Sequence, residues 1–189
     1  LYSQFLDSRR LYSAAHFDSP GVTLEDAQVE KLQRICNALD LRPGQRFLDI
    51  GCGWGALAVY AAERFGVHAT GCTLSHNQFE YARKIVAERG IEGRVSILEA
   101  DYQELEGRFD KIASVGMFEH VGISSLGEYF GRVHSLLQDG GRFLNRGIVR
   151  PERVSDDAET LFLRRRVFPG GGLVHLSDAL REAERSGFE

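Results

Sequence analysis

Leu48-Asp49-Ile50-Gly51-Cys52-Gly53-Trp54-Gly55 is the stretch on which the reading of this chain turns. A short apolar run over 46–50 stops at three alternating glycines, and a helical pattern over 56–65 follows, closed by Gly66. Such a run between turn residues reads as a strand buried on both faces. Glycine permits positive φ and lets a ligand approach the main chain. The helix start behind the turn offers N–H groups that have no partner inside the helix.

A dinucleotide site carries G-x-G-x-x-G and sets a pyrophosphate on that helix start. Here the spacing is G-x-G-x-G with an acid, Asp49, just upstream. This pattern suits a ligand without phosphates. S-adenosylmethionine meets the description, because its cationic amino group is attracted to Asp49 and its carboxylate can use the N–H groups. Gly51 and Gly53 are then cofactor-site residues. Read alone, the glycines also fit a purely structural turn; the strand–loop–helix setting and Asp49 favour the cofactor.

Working outward, the pattern predicts a helix over 23–41, with a Thr23/Asp26 capping pair and an apolar face of Leu32, Ile35, Cys36 and Leu39. Strands are expected over 67–72, 95–98, 111–115 and 142–148. Helices are expected over 75–89, 125–137 (with a Ser125/Glu128 capping pair) and 177–186. Alternating strands and helices predict an α/β fold with a mainly parallel sheet, right-handed crossovers and helices on both faces. The polar stretch 150–160 reads as a surface excursion or lid. Residues 187–189 resemble the entry to a further strand, so the chain is expected to be cut short there.

One domain over 1–189 is expected: a helical entry segment over 1–45, a cofactor-binding core over 46–149, and an incomplete lid and C-terminal part over 150–189. A length of 189 residues with 43% hydrophobic and 26% charged residues is enough to bury a core without staples. The net charge of −4 argues against nucleic acid as a partner. Three cysteines with no C-x-x-C pair argue against a disulfide framework or a metal site, and point to a reducing cytoplasm. No apolar run approaches the ~18 residues of a membrane span. The chain begins at Leu1 rather than Met, so an upstream segment is expected.

After the second strand many Rossmann-like proteins hold ribose with an acid. Here the sequence is Thr73-Leu74-Ser75, without a carboxylate. Gln78 lies three residues beyond Ser75, and a Ser75/Gln78 capping box accounts for both. Asp101-Tyr102 follows the third strand, where Asp101 can accept from an adenine amine and Tyr102 can stack. A plain polar loop is the other reading of that pair.

Four motifs occur together in this order: the glycine turn, Thr73-Leu74-Ser75-x-x-Gln78, Gly116-Met117-Phe118-Glu119-His120-Val121-Gly122, and Phe168-Pro169-Gly170-Gly171. With Tyr12-Ser13 and Leu24-Glu25-Asp26-Ala27-Gln28 ahead of them, they resemble the cyclopropane fatty acid synthase family, which includes the mycolic acid cyclopropane synthases. The resemblance runs from about Tyr12 to the end of the chain.

It implies a Rossmann-like class I methyltransferase fold. It implies that Tyr12, Ser13, Gly51, Gly53, Thr73, Leu74, Gln78 and Tyr102 line the S-adenosylmethionine site, which tips Gln78 towards a cofactor contact. It also implies methyl transfer to the cis double bond of an unsaturated acyl chain, on a phospholipid or an acyl carrier. The product expected is a cyclopropane or a methyl- or methylene-branched chain, with S-adenosylhomocysteine released. A cytoplasmic enzyme touching the inner membrane surface peripherally, with a homodimer left open, completes the implication.

Family members hold bicarbonate with a cysteine after the Tyr-Ser pair, the glutamate of Phe-Glu-His, a histidine on the fifth strand and a later tyrosine. Glu119 is present; Ala14 stands at the cysteine's place and Arg146, beside Asn145, at the histidine's. The tyrosine's place falls beyond Glu189. Either Glu119 acts alone or Arg146 holds an anion differently, and the product shifts towards a methyl or methylene chain. Glu119, His120 and Arg146 are the catalytic candidates, with a structural role as the rival reading of His120.

Phe118, Phe130, Phe143 and Phe168 read as a lipid tunnel or as plain core. Arg164-Arg165-Arg166 reads as a headgroup contact or as a solvated run. Small-molecule amine N-methyltransferases share much of the motif set and are the alternative. A nicotinamide oxidoreductase is disfavoured by the glycine spacing.

Overall fold

Thr23 starts the first helix by turning its side chain onto the chain ahead. Its Oγ1 accepts from Asp26 N at 3.1 Å and donates to Asp26 Oδ2 at 2.7 Å. The computed structural model describes residues 2–150 and 172–189. Most of the expected 150–160 excursion, Arg164-Arg165-Arg166 and Phe168-Pro169-Gly170-Gly171 lie outside the described residues. Two compact units emerge: Leu1–Ser114 with Leu137–Leu144, and Val115–Leu136 with Asn145–Glu189.

In the first unit α1 is Leu24–Ala38. It leads to β1 Arg46–Ile50, α2 Ala56–Phe65, β2 His68–Thr73, α3 His76–Glu88, β3 Val95–Glu99 and β4 Phe109–Val115. With β5 Leu137–Arg146 the strands form one sheet in the order β3-β2-β1-β4-β5. The β1–β2, β1–β4 and β2–β3 pairs are parallel, as the alternating pattern predicts. The chain passes from β1 to β2 to β3 through α2 and α3, and the right-handed rule for such parallel connections assigns both helices to one face.

β1 is the central strand, and Phe47, Leu48 and Ile50 on it are buried. Each contributes roughly 1.5–3 kcal/mol of transfer free energy. The turn after β1 is packed tightly. A Cβ on Gly55, which has φ 85°, would lie 2.9 Å from Ala82 Cβ on α3. A Cβ on Gly71 would lie 2.9 Å from Cys52 Sγ. Side chains are excluded at both places because α3 and the turn share one space.

In the second unit α4 Leu126–Leu136 buries Leu126, Tyr129, Phe130, Val133 and Leu136. It packs with α5 Leu176–Arg185, and the Phe130 and Phe188 rings meet at 6.2 Å. Phe118 and Phe130 are buried with Tyr129 in this aromatic cluster, which is the core reading of those two positions. A small parallel pair, β6 Val149–Arg150 with β7 Val174–His175, was not expected, because two residues carry no periodicity.

Other differences have local causes. The first helix stops at Ala38 because Leu39 caps it and Asp40 takes φ 52°. Ser75 forms no side-chain cap, so the Ser75/Gln78 box does not form. Thr73 Oγ1 intervenes, accepting from Ser75 N at 3.2 Å and donating to Gln78 Oε1 at 2.8 Å. Ser125 lies inside a short helical turn, Ile123–Ser125, and α4 begins after it. β5 starts earlier than 142 and ends at Arg146 rather than 148. Its end is set by Glu119 Oε1, which takes the Ile148 N–H at 2.8 Å in place of a ladder partner.

Gly55→Ala combines left-handed strain with overlap on Ala82, a loss of about 2–4 kcal/mol. The thermal midpoint is expected to fall by roughly 4–16 °C. Gly53→Ala, whose Cβ would meet nothing within 4 Å, carries the strain alone and is expected to fall less. Paired thermal melts check this.

Candidate functional site

The ends of three adjacent strands collect the expected cofactor residues. Asp49 and Ile50 close β1, and Gly51, Gly53 and Gly55 follow with φ of 71°, 55° and 85°. Cys52 N donates to Cys72 O at 2.9 Å, which carries the turn alongside the end of β2. Ala100 N donates to Thr73 O at 3.1 Å, so the Asp101-Tyr102 corner follows the end of β2 as well. Asp49, Gly51, Gly53, Thr73, Leu74, Gln78, Asp101 and Tyr102 therefore share the carboxyl edge of a parallel sheet, where ligands of such folds gather.

Thr73 is buried and its hydroxyl orients the Gln78 amide, while Leu74 is exposed. Asp101 caps the turn at Tyr102–Glu104, accepting from Gln103 N at 3.0 Å, and Tyr102 is half-buried. The polar-loop reading of Asp101 thus describes one of its oxygens. Tyr12 reaches this edge through an aromatic chain: Tyr2 contacts Tyr12 with centroids at 5.5 Å and Trp54 of the glycine turn at 5.6 Å.

Two residues to which the sequence reading gave no role in the site hold the Tyr12-Ser13 segment. Gln28 and Lys31 are buried on α1, at 3% and 2% exposure. Gln28 Nε2 donates to Leu11 O at 3.3 Å and Ser13 O at 3.1 Å. Lys31 Nζ donates to Ser13 Oγ at 2.8 Å and Ser13 O at 3.3 Å. A signal was available: Ala27, Gln28, Lys31, Leu32 and Ile35 follow the spacing of one buried face, and two of the five are polar.

Asp49 is 2% exposed, and its Oδ2 has no hydrogen-bond partner among the described residues. Burial pushes its carboxyl up to about 7, against the pull of the Lys31 ammonium, which lowers it. The neighbouring thiols are inert for the same reason. Burial, reinforced by the Asp49 charge, lifts Cys36 to about 12 and Cys52 well above its ordinary value. Burial likewise lifts Cys72 to about 11.

The catalytic candidates lie in the second unit. Glu119 sits in a short helical turn, Phe118–His120, at 3% exposure. One carboxylate oxygen accepts from Ile148 N; the other, Oε2, has no hydrogen-bond partner among the described residues. A Cβ on Gly147 would come within 3.0 Å of Phe118 and 3.4 Å of that Oε2. The Glu119 carbonyl accepts from Gly172 N at 2.9 Å. His120 is exposed, and Arg146 is half-buried with its carbonyl accepting from Gly116 N at 2.9 Å. Asn145 Oδ1 accepts from Tyr129 OH at 3.1 Å.

Comparison with known proteins matches residues 1–189 to the mycolic acid cyclopropane synthetase family model. A probable fatty acid methyltransferase of Pseudomonas putida is 40% identical over 181 residues, covering 93% of this chain and 46% of that protein. The cyclopropane-fatty-acyl-phospholipid synthase of Escherichia coli K12 is 39% identical over 184 residues, covering 97% and 46%. The chain thus spans about half the length of these relatives. The mycolic acid cyclopropane synthase CmaA1, solved with SAH and CTAB, superposes with a TM-score of 0.91 at 32% identity, over all of this chain and 70% of that one. The Rossmann-like fold with its mainly parallel sheet is the fold of that synthase.

A folded carboxyl raised above its ordinary 3.8 binds protons that the unfolded chain releases. Its contribution to unliganded stability therefore falls as pH rises from about 4 to about 7, and the full penalty applies above that. Asp49→Asn removes this slope. The unliganded variant is expected to match the parent near pH 4 and exceed it near pH 8, by a difference on the order of a few kcal/mol. Urea midpoints across that range measure it.

Proposed function

Because the chain belongs to the mycolic acid cyclopropane synthetase family, we propose that it transfers the methyl group of S-adenosylmethionine to the cis double bond of an unsaturated lipid acyl chain. The observation that carries this reading is the buried Asp49 carboxylate, unpartnered at Oδ2, at the mouth of the three-glycine turn. A buried carboxylate invites a cation, and the amino group of S-adenosylmethionine supplies one. Thr73 and Gln78 offer polar atoms for the ribose, and Tyr102 a face for the adenine. Tyr12 and Ser13 close the site from the chain's beginning. SAH in the CmaA1 structure supports the same choice of cofactor.

When bound, S-adenosylmethionine supplies a methyl group that is already electrophilic. The residues then have to align it with the alkene and exclude water. The carbon–sulfur bond breaks, a carbon–carbon bond forms to one alkene carbon, and the positive charge passes to the other. A proton must leave for a neutral product to form. Glu119 accepts it at Oε2 in this reading, held in place by the Ile148 N–H on Oε1.

The residues do not fit a bicarbonate site of the family's pattern: Ala14 offers no polar side chain, and Arg146 replaces the histidine. No step is routed through that anion. A methyl- or methylene-branched chain follows as readily as a ring. Ala14 and Arg146 equally suit an amine acceptor, which needs no such base, and this favours N-methyl transfer as the second reading.

No helix among the described residues is long and apolar enough to cross a membrane. Peripheral contact with a phospholipid surface on the cytoplasmic side is part of the same proposal.

Incubation with S-adenosylmethionine and monounsaturated phospholipid is expected to add one CH2 to the acyl chain by mass spectrometry, and NMR of the fatty acids distinguishes ring from branch. Methylation of amines in a parallel panel, with none of the lipid, would overturn the reading. Glu119→Gln is expected to lower turnover by roughly 10²–10⁴-fold while leaving cofactor affinity within about twofold. Turnover equal to the parent's would remove Glu119 from the mechanism.

A further inference from the structure

Lys31 is an expensive residue to keep where it is. A buried ammonium is tolerated only when hydrogen bonds and an opposite charge compensate its lost hydration. Here two hydrogen bonds go to Ser13, through both its hydroxyl and its carbonyl, and Asp49 is an opposite charge that Lys31 acts on through space. Gln28, one turn earlier, adds two more bonds to the same segment. Ser13 and Asp49 are distant in sequence, and both are assigned above to the cofactor.

We propose that Lys31 is a positioning residue for the cofactor, its buried ammonium joining the Tyr12-Ser13 segment to the Asp49 carboxylate so that both are presented to the ligand together. The inference rests on the reading of Asp49 as the partner of the cofactor's amino group. Lys31 does not touch the ligand in this arrangement. It acts on Ser13 by direct hydrogen bonds and on Asp49 through space, favouring the ionised carboxylate over the protonated one for a cationic partner.

The titratable groups that bear on Asp49 are Lys31 and Cys36 from α1, Cys52 from the turn and Cys72 from β2. The three thiols stay neutral at physiological pH, so Lys31 is the charge among them. Removing it raises the proton affinity of Asp49. The loss of cofactor affinity is therefore greatest at low pH and narrows as pH rises.

Titration calorimetry of the protein with S-adenosylmethionine tests this, with each Kd expressed per folded molecule. Lys31→Met is expected to weaken binding roughly tenfold or more at about pH 6, and by less at about pH 8.5. In turnover assays KM for S-adenosylmethionine rises by a similar factor while kcat changes little. Lys31→Gln keeps a donor towards Ser13 without the charge and tolerates burial better. It is expected to retain the pH-dependent part of the loss, while Lys31→Arg restores affinity in part.

In an Asp49→Asn background Lys31→Met should have no pH-dependent effect. A Lys31→Met or Lys31→Gln protein that melts earlier but binds as the parent does at every pH would overturn the inference, leaving Lys31 a structural residue. A pH-dependent loss that persists in the Asp49→Asn background would overturn it too. Asp49→Asn binding as tightly as the parent would instead sink the cofactor reading itself, so the two failures are distinguishable.

Discussion

The desolvation of Asp49 is the constraint around which the first unit is arranged. Its carboxylate lies at the end of the central strand, at 2% exposure, with one oxygen unpartnered among the described residues. Burying an ionised carboxylate is unfavourable unless something answers its charge. Lys31 answers part of it from α1. The remainder lifts its carboxyl to about 7, beside a turn whose glycines take positive φ. The same tight packing explains why Gly55 and Gly71 carry no side chain: Ala82 and Cys52 already occupy the space.

Glu119 repeats the device in the second unit. One oxygen is committed to a backbone N–H, which fixes the carboxylate and ends β5 at Arg146. The other is buried and unpartnered among the described residues. A carboxylate held by one oxygen is oriented at the other, which is the arrangement the proposed proton transfer needs. The aromatic cluster of Phe118, Tyr129 and Phe130 supplies the apolar surroundings. All three rings are buried.

Much of this was legible in the order of residues, for a physical reason. β1 and α2 were expected with the bounds they have, because an apolar run between glycines and a helix between two left-handed glycines are locally determined. The parallel sheet followed from alternation. Less legible were interactions between residues far apart in sequence. The Ser75/Gln78 box was a sound local expectation that lost to Thr73, whose hydroxyl is placed by the sheet. The β6–β7 pair joins two dipeptides more than twenty residues apart, and nothing local marks either.

The sequence by itself determined the fold class and singled out Asp49 and Glu119 as candidate acids, the first from the glycine turn that follows its strand and the second from a motif shared with the family, since each depends on residues close together in the chain. Only the tertiary structure decided which carboxylate oxygens are spoken for and which are not. It alone showed that Gln28 and Lys31, two polar residues on a buried helix face, reach across to Leu11 and Ser13. Burial and charge pairing are properties of the packed chain, and solvation energy is assigned only when the chain has closed around a group.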